Sequence, residues 1–227
     1  MSISLEEVVP WGRSFDEYVS MFSLTQGDLE GRILGCGDGP AAFNAELTRK
    51  GGNAVSIDPL YTFCTEEIES RIRQTYAAVL KQVRRNESTF VWNRFEGPDA
   101  LGRARMEAMR CFLADYACGR AQGRYVAGGL PDLALPDKAF DLALCSHFLF
   151  LYSDHTTLEF HIRSAVELCR VAHEVRIFPL LDLAGGRSVY VDRVVEALLQ
   201  KGYGISVERV DYEFQKGGDH MLRIRTV

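Results

Sequence analysis

Between Ser14 and Leu24 the apolar residues Phe15, Tyr18, Val19 and Phe22 recur at the spacing of one helix face. Ser14 stands where an N-cap belongs, and Glu17 completes a capping box, so a short leading helix is predicted. The period then changes. Arg32 to Gly35 reads as a strand, a glycine-rich turn follows, and a helix is predicted from about Pro40 to Lys50, closed by Gly51-Gly52. Asn53 to Asp58, NAVSID, is a second strand. Strand, glycine turn, helix and strand within about 30 residues make the βαβ unit of a parallel sheet.

After Asp58 the alternation is interrupted. Residues 59–123 carry two helical patterns, about Thr65 to Arg85 and Asp99 to Cys118, where an ordinary crossover has one helix. This segment reads as an insertion within a single domain. Regular alternation then resumes. Arg124 to Ala127 and Phe140 to Cys145 are strands, the second apolar nearly throughout, as a strand covered on both faces should be. Thr156 to Val171 is a helix with Leu158, Ile162, Val166, Leu168 and Cys169 turned inward. Ala172 to Pro179 is a strand and Val189 to Lys201 a helix stopped by Gly202. Ser206 to Phe214 and His220 to Val227 read as an antiparallel hairpin joined by QKGGD.

With 227 residues, 47% hydrophobic and 25% charged, the chain has the balance of an ordinary globular protein. A net charge of −5 argues against coating a nucleic acid, which needs a surplus of Lys and Arg. The insertion alone is mildly basic, with ten Lys and Arg against eight Asp and Glu, the ordinary make-up of a solvated helical face. The six cysteines, at 36, 64, 111, 118, 145 and 169, form no CxxC pair, so neither a zinc site nor a disulfide scaffold is expected. The opening MSISLEEVVPWGRSF has acids where a signal peptide has a basic stretch, and Ala139 to Tyr152 is too short to span a bilayer. A cytoplasmic protein without a membrane partner is expected.

The order of elements resembles that of the class I S-adenosylmethionine-dependent methyltransferases. That resemblance implies a Rossmann-like three-layer α/β/α sandwich with a mostly parallel seven-stranded sheet and an antiparallel C-terminal hairpin strand. Three motifs carry it. LGCGDG, Leu34 to Gly39, matches the glycine loop, which passes beneath the methionine portion of the cofactor. A tight turn after a strand favours glycine, and so does close approach of backbone to ligand. The helix predicted from Pro40 would add free N–H groups. Ser56-Ile57-Asp58-Pro59 matches the second motif, where an acid accepts both ribose hydroxyls; a carboxylate suits that task because it offers two acceptor oxygens. Leu135 to Asp141, LPDKAFD, resembles the stretch that introduces the fourth strand, and places Cys145, Ser146, His147 and Phe148 at its carboxyl end.

The resemblance thus implies a cofactor site of Gly35, Cys36, Gly37, Asp38, Gly39, Asp58, Pro59, Gly129, Leu130, Cys145 and Ser146. Two positions depart from the family. Ile33 stands where an acid usually helps hold the cofactor's amino group, with Asp38 as the candidate replacement, and the acid that often follows the third strand falls on Gly129. His147 is the candidate base, because an imidazole titrates near working pH. Tyr152, Asp154, His155 and Asp182 are candidates on the substrate side, Asp154 alternatively capping the next helix. His155 and His161 do not share a helical face, so no metal is expected. The aromatics Phe90, Trp92, Phe95, Phe112 and Tyr116 of the insertion serve either packing or a wall over the sheet edge.

CSHF at the fourth strand lacks the [DNS]PP[YFW] signature of DNA amine methylation, and no Pro-Cys dipeptide marks a cytosine nucleophile. A small-molecule acceptor is therefore favoured over nucleic acid or protein, both of which stay open. Two rivals remain: a protein that binds S-adenosylmethionine or S-adenosylhomocysteine without transfer, and a nicotinamide-dependent oxidoreductase using Gly37, Gly39, Ala42 and Asp58.

Overall fold

In a computed structural model, residues 10–226 are described. The reading of the opening residues as free of a signal peptide falls mostly on residues 1–9, outside that range, as does Val227 at the close of the last predicted strand.

Seven strands form one sheet: β1 (Arg32–Cys36), β2 (Asn53–Ile57), β3 (Tyr125–Val126), β4 (Phe140–Ser146), β5 (Ala172–Phe178), β6 (Gly204–Arg209) and β7 (His220–Arg225). Their spatial order is β3-β2-β1-β4-β5-β7-β6. β1 pairs in parallel with both β2 and β4, β2 with β3 and β4 with β5, whereas β7 runs antiparallel to its neighbours β5 and β6. The chain proceeds outward from β1 in one direction and then from β4 in the other. A crevice must therefore open at the carboxyl ends of β1 and β4.

Alternation along the central strands builds both faces. On one face Cys36, Ala143, Cys145, Val175 and Ile177 pack with Leu168 of α6 (Leu158–Val171) and Val194 and Leu198 of α7 (Val191–Gln200). On the other, Ile33, Leu142, Leu144 and Phe178 pack with α1 (Phe15–Met21) and with Phe43 and Leu47 of α3 (Phe43–Arg49). The capping box read from Ser14 and Glu17 forms as expected. A short helix, α2 (Gln26–Glu30), precedes β1 and begins with a second capping box, from Thr25 and Asp28. The two helices between β2 and β3 are α4 (Thr65–Arg85) and α5 (Pro98–Ala121). Their inner residues Ile68, Ile72, Phe112 and Tyr116 meet Tyr61 and Tyr125 in a separate cluster. Among the described residues no helix is long and apolar enough to cross a membrane.

Three expectations are corrected. The helix after the glycine turn starts at Phe43 rather than Pro40, because the preceding backbone bonds elsewhere: the Ala42 N–H donates to Arg13 O at 2.9 Å and the Gly39 N–H to Asp58 at 2.8 Å. β6 ends at Arg209 rather than Phe214, since Tyr212 turns away to donate to Glu17 at 2.8 Å and Phe214 stacks on Phe90 with ring centres 4.5 Å apart. Thr157, not Asp154, caps α6, its hydroxyl accepting from the Phe160 N–H.

Candidate functional site

At the crevice the β1 turn is held from three sides. Gly37 and Gly39 adopt φ of 71° and 53°, in the left-handed region open to glycine. A Cβ at Gly37 would lie 2.9 Å from that of Phe148, so nothing larger fits between the β1 and β4 turns. A Cβ at Gly35 would lie 1.8 Å from an Asp38 carboxylate oxygen. The missing side chain there lets Asp38 fold back under the strand, where it accepts from the Tyr18 hydroxyl at 2.8 Å and the Ser56 hydroxyl at 2.7 Å. Tyr61 completes the clasp by donating to Gly39 O at 2.7 Å.

Asp58 follows β2. Its two oxygens accept one backbone N–H each, from Leu60 and from Gly39, both at 2.8 Å. Each oxygen keeps a further acceptor position, and the side chain lines the cavity. Burial raises the pKa of both carboxyls. For Asp38 the value rises to about 6, against hydrogen bonds from Ser56 and Tyr18 that pull it down and Asp58 that adds to the rise. For Asp58 burial likewise wins over the two N–H donors.

The cavity measures about 420 Å³, within the range of small-molecule sites. Cys36, Gly37, Asp38, Gly39, Asp58, Pro59, Gly129, Leu130 and Ser146 line it, together with His147 and Tyr152. The structure thus brings most of the sequence-read residues together. Others fall elsewhere. Cys145 is fully buried in the sheet-to-α6 core, since alternation along β4 turns Ser146 and not Cys145 to the crevice. Asp154 and His155 are exposed in a short turn off the cavity wall. Asp182 stabilises its own turn, accepting from the Gly186 N–H at 3.0 Å, and Leu183 beside it lines the cavity instead. Gly35 lies one residue outside the wall and acts through Asp38. Of the insertion aromatics, Phe90 reaches the cavity while Phe112 and Tyr116 stay in their own cluster. Among the described residues no group of His, Cys, Asp and Glu is arranged to hold a metal.

His147 has φ of 51°, an uncommon conformation for a residue with a side chain. Its N–H donates to Phe178 O at 2.6 Å and its Nδ1 lies 3.0 Å from the Ser146 hydroxyl. Burial, reinforced by Arg13 and then Arg105, holds its pKa well below the usual imidazole range. The ring is neutral at neutral pH.

Sequence reading missed the wall contributed from far along the chain. Trp11, Arg13 and Tyr18 come from before and within α1, Arg71 and Gln82 from α4, and Phe214 from the β6–β7 connection. Only Tyr18 had a local signal, its place on the apolar face of α1.

The strand order, with β7 antiparallel beside β5, differs from the 3-2-1-4-5-6 order of dinucleotide-binding folds. It is the order of the class I methyltransferase fold. More particularly, the chain is 35% identical over 224 residues to Uncharacterized protein MJ0045 of Methanocaldococcus jannaschii, covering 98% of each, and it belongs to that protein's family. No family model matches the sequence. Among solved structures it is similar to magnesium protoporphyrin IX methyltransferase of Synechocystis PCC 6803 with bound SAM, at 13% identity, 94% of this chain, 78% of that chain and a TM-score of 0.49. It is also similar to a SAM-dependent methyltransferase of Aquifex aeolicus, at 14% identity, 92% and 86% coverage and a TM-score of 0.43. The assignment of the fold rests on strand order and not on these two likenesses.

Proposed function

We propose that the protein binds S-adenosylmethionine in this crevice and transfers its methyl group to a small-molecule acceptor. The observation that carries the reading is Asp58: a carboxylate at the end of β2, fixed by two backbone N–H groups, facing the cavity with acceptor positions left for vicinal hydroxyls. Leu60, Gly129 and Leu130 line the same cavity and add mostly apolar surface to it. The Gly37 to Gly39 backbone is the floor for the aminocarboxypropyl end, kept close by the lack of side chains. Bound there, S-adenosylmethionine supplies an electrophilic methyl group. The residues around it have to orient the acceptor and keep water out, which the largely apolar wall does. His147, neutral and at the end of β4, is the proton acceptor for any acceptor that enters protonated.

Calorimetry with S-adenosylmethionine and S-adenosylhomocysteine tests the reading. Micromolar binding is expected, weakened by about 1.5 to 3 kcal/mol in Asp58→Ala, the loss for hydrogen bonds to a charged group. No binding by the unaltered protein would refute it. His147→Ala should leave that binding intact and lower turnover; unchanged turnover would retire His147 as the base. Binding without a methylated product from any acceptor would favour a binding protein lacking transfer activity.

A further inference from the structure

Arg13 lines the cavity, and its placement is built rather than incidental. The segment before α1 lies flush on the glycine turn: a Cβ at Gly12 would sit 2.0 Å from Pro40 O, and Arg13 O accepts from the Ala42 N–H at 2.9 Å. The guanidinium has little to neutralise it. Among the described residues its one side-chain hydrogen bond is from Nη1 to Trp11 O at 3.3 Å, and its Nε is buried with no acceptor.

The nearby carboxylate is already committed. Both oxygens of Glu17 accept from Arg105, one also from the Tyr212 hydroxyl and the other from the N–H and hydroxyl of Ser14. No carboxylate among the described residues lies within ion-pair distance of Arg13. His147, in its electrostatic neighbourhood, is kept neutral by burial first, and Arg13 adds to that. A cationic acceptor would meet repulsion there. Much of the cavity wall is apolar, from Trp11, Val79, Val83, Phe90, Leu151 and Phe214, with Arg71 as a second cation on it. Arg13 is half-buried, and a planar carboxylate relieves a guanidinium short of a counter-charge with two parallel hydrogen bonds.

We propose that the acceptor is a small apolar carboxylic acid bound as its anion, the carboxylate paired with Arg13 and the apolar body against Phe90 and Phe214. This specificity rests on the cofactor reading above. The cofactor's own carboxylate is the competing occupant of Arg13, and the test separates the two.

Benzoate, 1-naphthoate and octanoate, each beside its neutral amide, are titrated by calorimetry into protein saturated with S-adenosylhomocysteine. At least one acid is expected to bind about tenfold or more tightly than its amide. Arg13→Gln should abolish that preference while moving S-adenosylhomocysteine affinity by less than about threefold, and Arg13→Lys should keep part of it. Equal binding of acids and amides overturns the inference. So does a loss of about tenfold or more in S-adenosylhomocysteine affinity in Arg13→Gln, which assigns the guanidinium to the cofactor. Failure of the unaltered protein to bind S-adenosylhomocysteine refutes the cofactor reading instead. The acid preference is then measured on the protein alone and judged by the same criterion.

Discussion

Asp38 is a carboxyl group that the fold keeps in place against its preference for water. Its protonated form is favoured in the folded state, with a pKa of about 6 against 3.8 for an ordinary aspartate. Between those values the folded chain holds a proton that the unfolded chain has lost, so stability is full below about pH 4 and declines as pH rises through 6. The decline should total roughly 2 to 3 kcal/mol by pH 7. In Asp38→Asn that component should vanish, so urea unfolding at pH 4 and pH 7 should favour the variant increasingly with pH. Parallel pH dependences in the two proteins would remove Asp38 as the source. Gly35 is what allows the arrangement, and its role is visible only with Asp38 folded beneath it.

Among the elements, α1 and α5 are joined by the pair of Glu17 and Arg105, 2% and 0% exposed. Burial works against the Glu17 charge, yet Arg105 outweighs it and lowers the pKa to about 2. The stability this pair contributes is therefore present above about pH 4.5 and lost only as pH falls toward 2. Glu17→Gln should destabilise the protein by about 3 to 5 kcal/mol in urea unfolding, because Arg105 is left buried without its counter-charge. A change below about 1 kcal/mol would show that the ends of the two helices rearrange.

Elements were also the most legible scale in the sequence. The α4 boundaries follow directly from periodicity, and the Ser14 and Glu17 capping box from the residue types three positions apart. The glycine turn and Asp58 were readable because local backbone geometry dictates them. Arg13 and Phe214 were not, since their meeting depends on packing between segments remote in the chain, and Phe90 was readable only as one of five aromatics for packing or a wall. Glu17 shows the limit well: its capping role was local and readable, while its buried contact with Arg105 was not.

At the scale of the whole molecule the cavity joins the segment before α1, the β1 and β2 turns, α4, the β4 turn and the β6–β7 connection. A ligand that touches all of them should stabilise the folded state as a unit. S-adenosylhomocysteine at about 100 times its dissociation constant should add about 2.7 kcal/mol and raise the melting temperature in a single cooperative transition. A transition that splits in two would show that the insertion melts apart from the sheet.

The sheet order has a consequence for biosynthesis. β7 lies between β5 and β6, yet follows both in the chain. While a ribosome is still making residues 210–219, β6 has no neighbour to bond with and β5 keeps one edge bare. Sheet and cavity can be completed only once β7 has emerged. Until then the nascent chain exposes an apolar edge of the kind that invites aggregation, so stalling in this stretch should lower the yield of folded protein.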